Sequence, residues 1–295
     1  MNFTSYLQPS RVTVVVGARS PVDRRRRSLE RVSKELSRGN YETALSRVKQ
    51  LKGKHDWCLA AFGSAKLLPK KSDMSDRTNL RSLIDSVSRS IESVYVEEDS
   101  SKKEEIYTSP EEDWFNVVQH ESGHFLVGYL LGVLPRHYEI PTLEDIKENV
   151  LSVTGRVEFV GFEFLKEVGA ANRVMKDDMD GRMNLSVSGS QGNISSKTLN
   201  NFSCVILGGM VAEHLLFGYS EGYYSDVVKL NDVLQWLGFT ETEKETHIKW
   251  AASNTVSLLH SHSEARVSLA EAMAKAKPIG DCIEAIESTI SRLKV

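Results

Sequence analysis

One helix constrains this chain more than any other stretch. Ser109-Pro110-Glu111-Glu112 combines a hydroxyl cap, proline at the first helical position and a glutamate placed to close a capping box. The helix it opens carries the apolar residues Val117, Val118, Phe125, Leu126, Leu130 and Leu131, and within them the run His120-Glu121-Ser122-Gly123-His124. Residues four apart share a helix face, so both imidazoles can converge on one ion while Glu121 flanks it. Two neutral imidazoles suit Zn²⁺, and a glutamate beside them can take a proton from a bound water whose pKa the metal lowers to about 7. The competing reading is a pair of helical histidines hydrogen-bonded on a half-buried face. Against it stand the marked helix start, apolar flanks in which an unliganded His-Glu-His cluster would be costly to desolvate, and Gly123, which leaves room for close approach.

Catalytic zinc normally has three protein ligands and one open position. A metzincin continuation needs glycine at position 127 and histidine at position 130, where this chain has Val127 and Leu130. The third ligand must come from farther along, and the candidates are Asp226, Glu213 and His214.

The flanking sequence reads as helical. Leu29, Val32 and Leu36, then Tyr41, Ala44, Leu45, Val48 and Leu51, and then Leu80, Leu83, Ile84, Val87 and Ile91 all keep helical spacing. Gly39 to Leu45 resembles one helix of a tetratricopeptide repeat, but no second copy follows, and one copy cannot build a solenoid. Residues 28–96 therefore form an N-terminal helical region suited to packing or partner contact, and the charged stretch at 97–108 is a linker. Between Glu139 and Thr198 glycine, serine, asparagine and aspartate increase, and alternating runs at Arg156–Phe164 and Met183–Val187 suggest short strands. Helices then return: Phe202–Phe217, Ser225–Leu237, Thr240–Leu259 with a capping box from Thr240 and Glu243, and two more before Val295. The expected fold class is mainly α with a small β-sheet insertion, the domain carrying the metal motif spanning 109–295.

The net charge of −3 gives no general attraction for nucleic acid. Cys58, Cys204 and Cys282 form no CxxC pair, which argues against a disulfide framework and a thiolate metal site. No run approaches the roughly 18 apolar residues of a membrane-spanning helix, which leaves peripheral membrane association open. Residues 1–27 are rich in arginine and hydroxyl side chains with Asp23 as the only acid, the composition of an organellar transit peptide. The alternatives are a solvated tail and, for the run Arg24–Arg27, a nuclear-localisation or polyanion patch. Of the remaining histidines, His137, His247, His260 and His262 carry no ligand expectation.

Two stretches resemble the peptidase domain of the FtsH family. His120-Glu121-Ser122-Gly123-His124 is similar to that family's HEAGH. Leu207 to Gly218, reading LGGMVAEHLLFG, is similar to its LGGRAAEE helix, followed by Gly222-Tyr223-Tyr224-Ser225-Asp226 where the family has TGASND. The resemblance spans about Ser109 to Leu259. It implies a zinc metalloendopeptidase, with Glu121 as general base and His120, His124 and Asp226 as zinc ligands. Asp226 would sit at a helix start, Glu213 would orient a ligand histidine, and His214 would be a core or surface residue. The family's ATPase module is missing: there is no GxxxxGK[ST], and Gly53-Lys54 is followed by His55. Tyr223 and Tyr224 replace small residues and could narrow the cleft. The expected partners are protein or peptide substrates, with FtsH-type ATPase subunits or a second copy of the chain beside them. The competing function is a non-catalytic subunit that associates with FtsH-type complexes. Chains of this kind resemble plant plastid proteins, which implies the chloroplast, with the mitochondrion as the alternative.

Overall fold

A computed structural model describes residues 20–53, 55, 57–69, 78–94, 109–148, 155–179, 193–220 and 223–293. In chain order the elements are α1 (Pro21–Ser37), α2 (Tyr41–Leu51), α3 (Thr78–Val94), α4 (Pro110–Leu131), β1 (Pro135–Glu139), α5 (Leu143–Lys147), β2 (Arg156–Phe159) and α6 (Leu165–Met179). They continue with α7 (Ser196–Ile206), α8 (Gly208–Phe217), α9 (Tyr223–Trp236), α10 (Glu241–Ser261), α11 (Ser263–Ala274) and α12 (Ile279–Arg292). The fold is mainly helical, with β1 and β2 paired antiparallel as its sheet.

Helix α4 is the central beam. Its capping box forms as the sequence requires: Glu112 N–H donates to Ser109 Oγ, and Ser109 N–H donates to the Glu112 carboxylate. From Val118 to Leu131 every residue is buried, so the helix is packed on nearly all sides and is reached only by the cleft at His120, Glu121 and His124. Gly132, at φ +80°, ends it in a left-handed cap. Helix α8 crosses α4 at glycine against glycine: a Cβ at Gly123 would come within 2.2 Å of Gly208 O. That approach sets how deep the histidine motif sits.

Residues 28–96 and the C-terminal helices share one apolar core, in which Leu29, Val32, Ala44 and Val87 join Phe125, Leu126, Ile248 and Ile283. Helix α1 starts at Pro21, within the segment read as a transit peptide, and its Arg25 is 3% exposed. The linker at 97–108 and the strand expected at Met183–Val187 lie outside the described residues.

Three local features differ from expectation. The run expected as one helix over Phe202–Phe217 is two, α7 and α8, broken at Leu207, because Gly208 must meet Gly123. The alternating run Arg156–Phe164 is a strand only to Phe159, after which the chain turns into α6. Its partner β1 was not expected; it is five residues long, opens at a proline and pairs with β2 across a bulge at Pro135/His137. By length and composition the combined run Ser196–Phe217 could cross a membrane, but 72% of its apolar window is buried here, as in a core helix.

Candidate metal centre

Three helices bring the site together. From α4 come His120 and His124, their rings 4.6 Å apart and tilted 77°. From the first turn of α9 comes Asp226, and from α8 comes Glu213. His120 Nε2 and His124 Nε2 are 2.9 Å apart, and Asp226 Oδ2 lies 3.0 Å from the first and 3.2 Å from the second. The three atoms make a small, nearly equilateral triangle among residues that are 9%, 7% and 2% exposed.

The far sides of both rings are fixed. His124 Nδ1 is 2.7 Å from Val205 O; a carbonyl only accepts, so that nitrogen carries the hydrogen. His120 Nδ1 is 2.6 Å from Glu213 Oε1 and donates to the carboxylate in the same way. Each neutral ring therefore presents a bare Nε2 lone pair to the triangle, and Asp226 adds a carboxylate oxygen that has no hydrogen-bond partner. Three electron pairs about 3 Å apart in a water-poor pocket require a positive charge between them. Ligand atoms about 2.0–2.1 Å from a tetrahedral ion are roughly 3.3–3.4 Å apart, so the triangle fits a small divalent cation with slight spreading. The His120, His124 and Asp226 group could hold a metal ion.

Without a metal the charge must come from protons. Burial disfavours the His120 imidazolium, but the Asp226 charge and the Glu213 hydrogen bond outweigh it and hold its pKa well above the ordinary value of 6.5. Burial would likewise raise Asp226, yet the two imidazoles hold it well below the ordinary carboxylate range. Glu121 moves the other way: burial dominates the nearby imidazoles and pushes its pKa up. Its Oε2 is buried with no hydrogen-bond partner.

The site opens into a cleft of about 660 Å³. One wall is the chain at Gly155 and β2, all of whose residues line it; the other includes Phe162, Phe202, Val205 and Ile206. Gly155 lies against the motif, where a Cβ would come within 2.6 Å of Glu121 Cγ. Gly209 does the same for the ligand ring, since a Cβ there would be 2.2 Å from His120 Nε2.

Of the three candidates left open beside the histidine pair, the structure brings Asp226 to both Nε2 atoms. Glu213 reaches the back of His120 instead. His214 stays away: buried, its Nδ1 is 3.3 Å from Gly218 O, and burial lowers its pKa. Tyr224 is about half exposed, and the side chain of Tyr223 lies outside the described residues. His247 bonds Ser203, His262 bonds Leu258 O, and His137 and His260 are exposed, so none joins the site. Sequence reasoning missed the Val205 carbonyl, the wedge at Gly209, and Lys229, whose Nζ is 3.7 Å from Asp226 Oδ1. Only Lys229 had a readable signal, its position three residues beyond Asp226 on a helix.

Comparison with protein-family models, with characterised proteins and with solved structures found no match to the chain.

Proposed function

We propose that the chain is a zinc-dependent metalloendopeptidase of the FtsH type, with Glu121 as its general base. The observation that carries this reading is the convergence of His120, His124 and Asp226 on one point, beside a buried Glu121 oxygen that has no other partner. Zinc, when held by the three side chains, would supply Lewis acidity and a water acidic enough to lose a proton near neutral pH. Glu121 takes that proton and returns it to the leaving nitrogen, a role suited to a carboxylate whose pKa burial has raised. Glu213 keeps His120 in the tautomer that presents Nε2, and the Val205 carbonyl does so for His124.

Peptide binding follows from β2. Among the described residues it pairs with β1 alone, and its whole length borders the cleft, so an extended substrate segment can add along it by main-chain hydrogen bonds. With no ATP-binding loop in the sequence, the substrate class is unfolded or small protein, unless an FtsH-type ATPase subunit delivers it. A plastid location rests on the family resemblance.

The test is zinc content and casein cleavage of the full chain beside Glu121→Gln and Asp226→Ala. Zinc near one per chain, cleavage lost in Glu121→Gln with zinc retained, and zinc lost in Asp226→Ala are expected. Zinc without cleavage in the wild type would favour the non-catalytic subunit, and no zinc would overturn the metal site.

A further inference from the structure

The metal site leaves the arginine run Arg24–Arg27 unexplained, and α1 divides it. Arg25 turns inward, donating from Nε and Nη2 to Glu284 at 2.7 and 2.6 Å and from Nη2 to Ser288 at 3.0 Å. Next to it Gly280 of α12 lies against α1, where a Cβ would come within 2.6 Å of Leu29 O. With Leu29, Val32 and Leu36 buried on the same side, the rotation of α1 about its axis is fixed.

The outward face is what that rotation presents. It carries Arg24, Arg27, Arg31, Lys34 and Arg38, alternately three and four residues apart, all exposed. They form one stripe about 21 Å long. The acids of α1 are engaged elsewhere: Asp23 with the cap Ser20, Glu30 with Arg26, and Glu35 with Asn40 and Arg47. Among the described residues no acid lies within ion-pair distance of the five. No acid precedes Asp23 in the sequence. The stripe is a row of like charges that repel one another along the helix, and Glu35 beside it attracts Lys34 and Arg38 only from beyond ion-pair distance.

The chemistry of the face selects its partner. The apolar side of α1 is used in the core, so the helix cannot insert, and the contact it offers is electrostatic. A single-stranded nucleic acid would stack on aromatic side chains, which the stripe lacks. An anionic bilayer is felt only by charges within about a Debye length of it, roughly 10 Å at 0.1 M salt, so a local stripe suffices. We propose that the outer face of α1 docks the protein on an anionic lipid bilayer, Arg24, Arg27, Arg31, Lys34 and Arg38 lying along the headgroups. This is independent of the metal site, and its failure would leave that reading untouched.

The experiment is co-sedimentation of the full chain with vesicles of phosphatidylglycerol and phosphatidylcholine in equal parts, against phosphatidylcholine alone. Binding to the mixed vesicles only, lost at high salt, is expected. Substituting all five residues by glutamine should weaken partitioning by about a thousandfold or more, since each basic residue near such a surface contributes about fivefold. A control replacing Lys66, Arg81, Arg89, Arg173 and Lys197, exposed residues outside α1 and its neighbour α12, by glutamine should stay within about twofold. Lysine at the four arginine positions should restore binding, which guards against a misfolded glutamine variant. No binding to anionic vesicles, equal loss in the control set, or failure of the lysine set would overturn the proposal. Complete displacement by single-stranded DNA at equal phosphate concentration would assign the stripe to nucleic acid instead and overturn it as well.

Discussion

Near the C-terminal end of α4, Tyr129 donates to Glu287 at 2.6 Å, and the two oxygens of that carboxylate also accept from Ala60 and Ala61 N–H at 2.9 Å each. About two turns earlier on the same helix, His120 and His124 face Asp226. Both clusters are buried and ionisable, and they are built in opposite ways. Around Glu287, which is fully buried, donors and acceptors match and no side-chain atom of Tyr129, Glu284 or Glu287 is left over. Around Asp226, acceptors face acceptors, and Asp226 Oδ2 and Glu121 Oε2 have no hydrogen-bond partner. A closed network holds elements together, here α4, α12 and the 58–62 segment, with Arg25 of α1 bound to Glu284 beside it. An open one needs a proton or a metal ion between its acceptors, and the same helix carries both because its burial makes any unmatched group costly.

The sharpest break of that comparison is Glu121→Gln, which leaves the triangle intact while removing the proposed base. Peptidase activity should fall by about 10²–10⁴-fold with zinc content and melting temperature unchanged, as read by casein cleavage, metal analysis and calorimetry. Next is Glu287→Ala. It strands the buried Ala61 N–H, the partly buried Ala60 N–H and the Tyr129 hydroxyl, and should cost about 3–5 kcal/mol in urea unfolding. Zinc affinity should change little if the two clusters are independent; a large loss would show that they are coupled through α4.

Glu213→Gln tests the border between structure and site, because it keeps the shape but weakens the hold on His120. Zinc affinity should drop about 10–100-fold in competition with a chromogenic chelator, with a smaller effect on folding.

The pH response distinguishes proton from metal as the closing charge. The folded pKa of metal-free His120 is raised above 6.5, so its stabilising contribution is complete below pH 6.5 and is lost as pH rises through the folded value. Asp226 is lowered from 3.8, so its contribution is present above that pH and is lost only as pH falls through the depressed value. Zinc requires the unprotonated rings. The rise in melting temperature on adding zinc should therefore grow from pH 6 toward pH 8, and a constant rise would contradict the closing role given to the cation. The smallest effect belongs to Ser109→Ala, which removes one exposed cap and should cost about 1 kcal/mol without moving zinc affinity.

Local rules made much of this legible. Ser109 and Glu112, like Thr240 and Glu243, form the capping boxes their spacing calls for, because a cap involves only neighbours in sequence. The spacing of His120 and His124 put two imidazoles on one face for the same reason. Helix α6 was not legible because the segment from Glu139 to Thr198 mixes polar and small residues whose periodicity is weak, and β1 was not because five residues opened by Pro135 are too few to establish an alternation.

What the sequence determined by itself is therefore the helical class, the marked start of α4 and the His-Glu-His face on it. The tertiary structure decided which carboxylate completes that face. Asp226, Glu213 and His214 lie within 14 residues of one another, and no local rule ranks them. Their roles follow from the Gly123–Gly208 contact, which lets α8 approach closely enough for Glu213 to reach the back of His120, and from the packing of α9, which turns Asp226 to its front. Packing also decided that Arg25 points inward while its neighbours face water. In each case the deciding interaction joins residues far apart in the chain, and only the folded backbone brings them within reach.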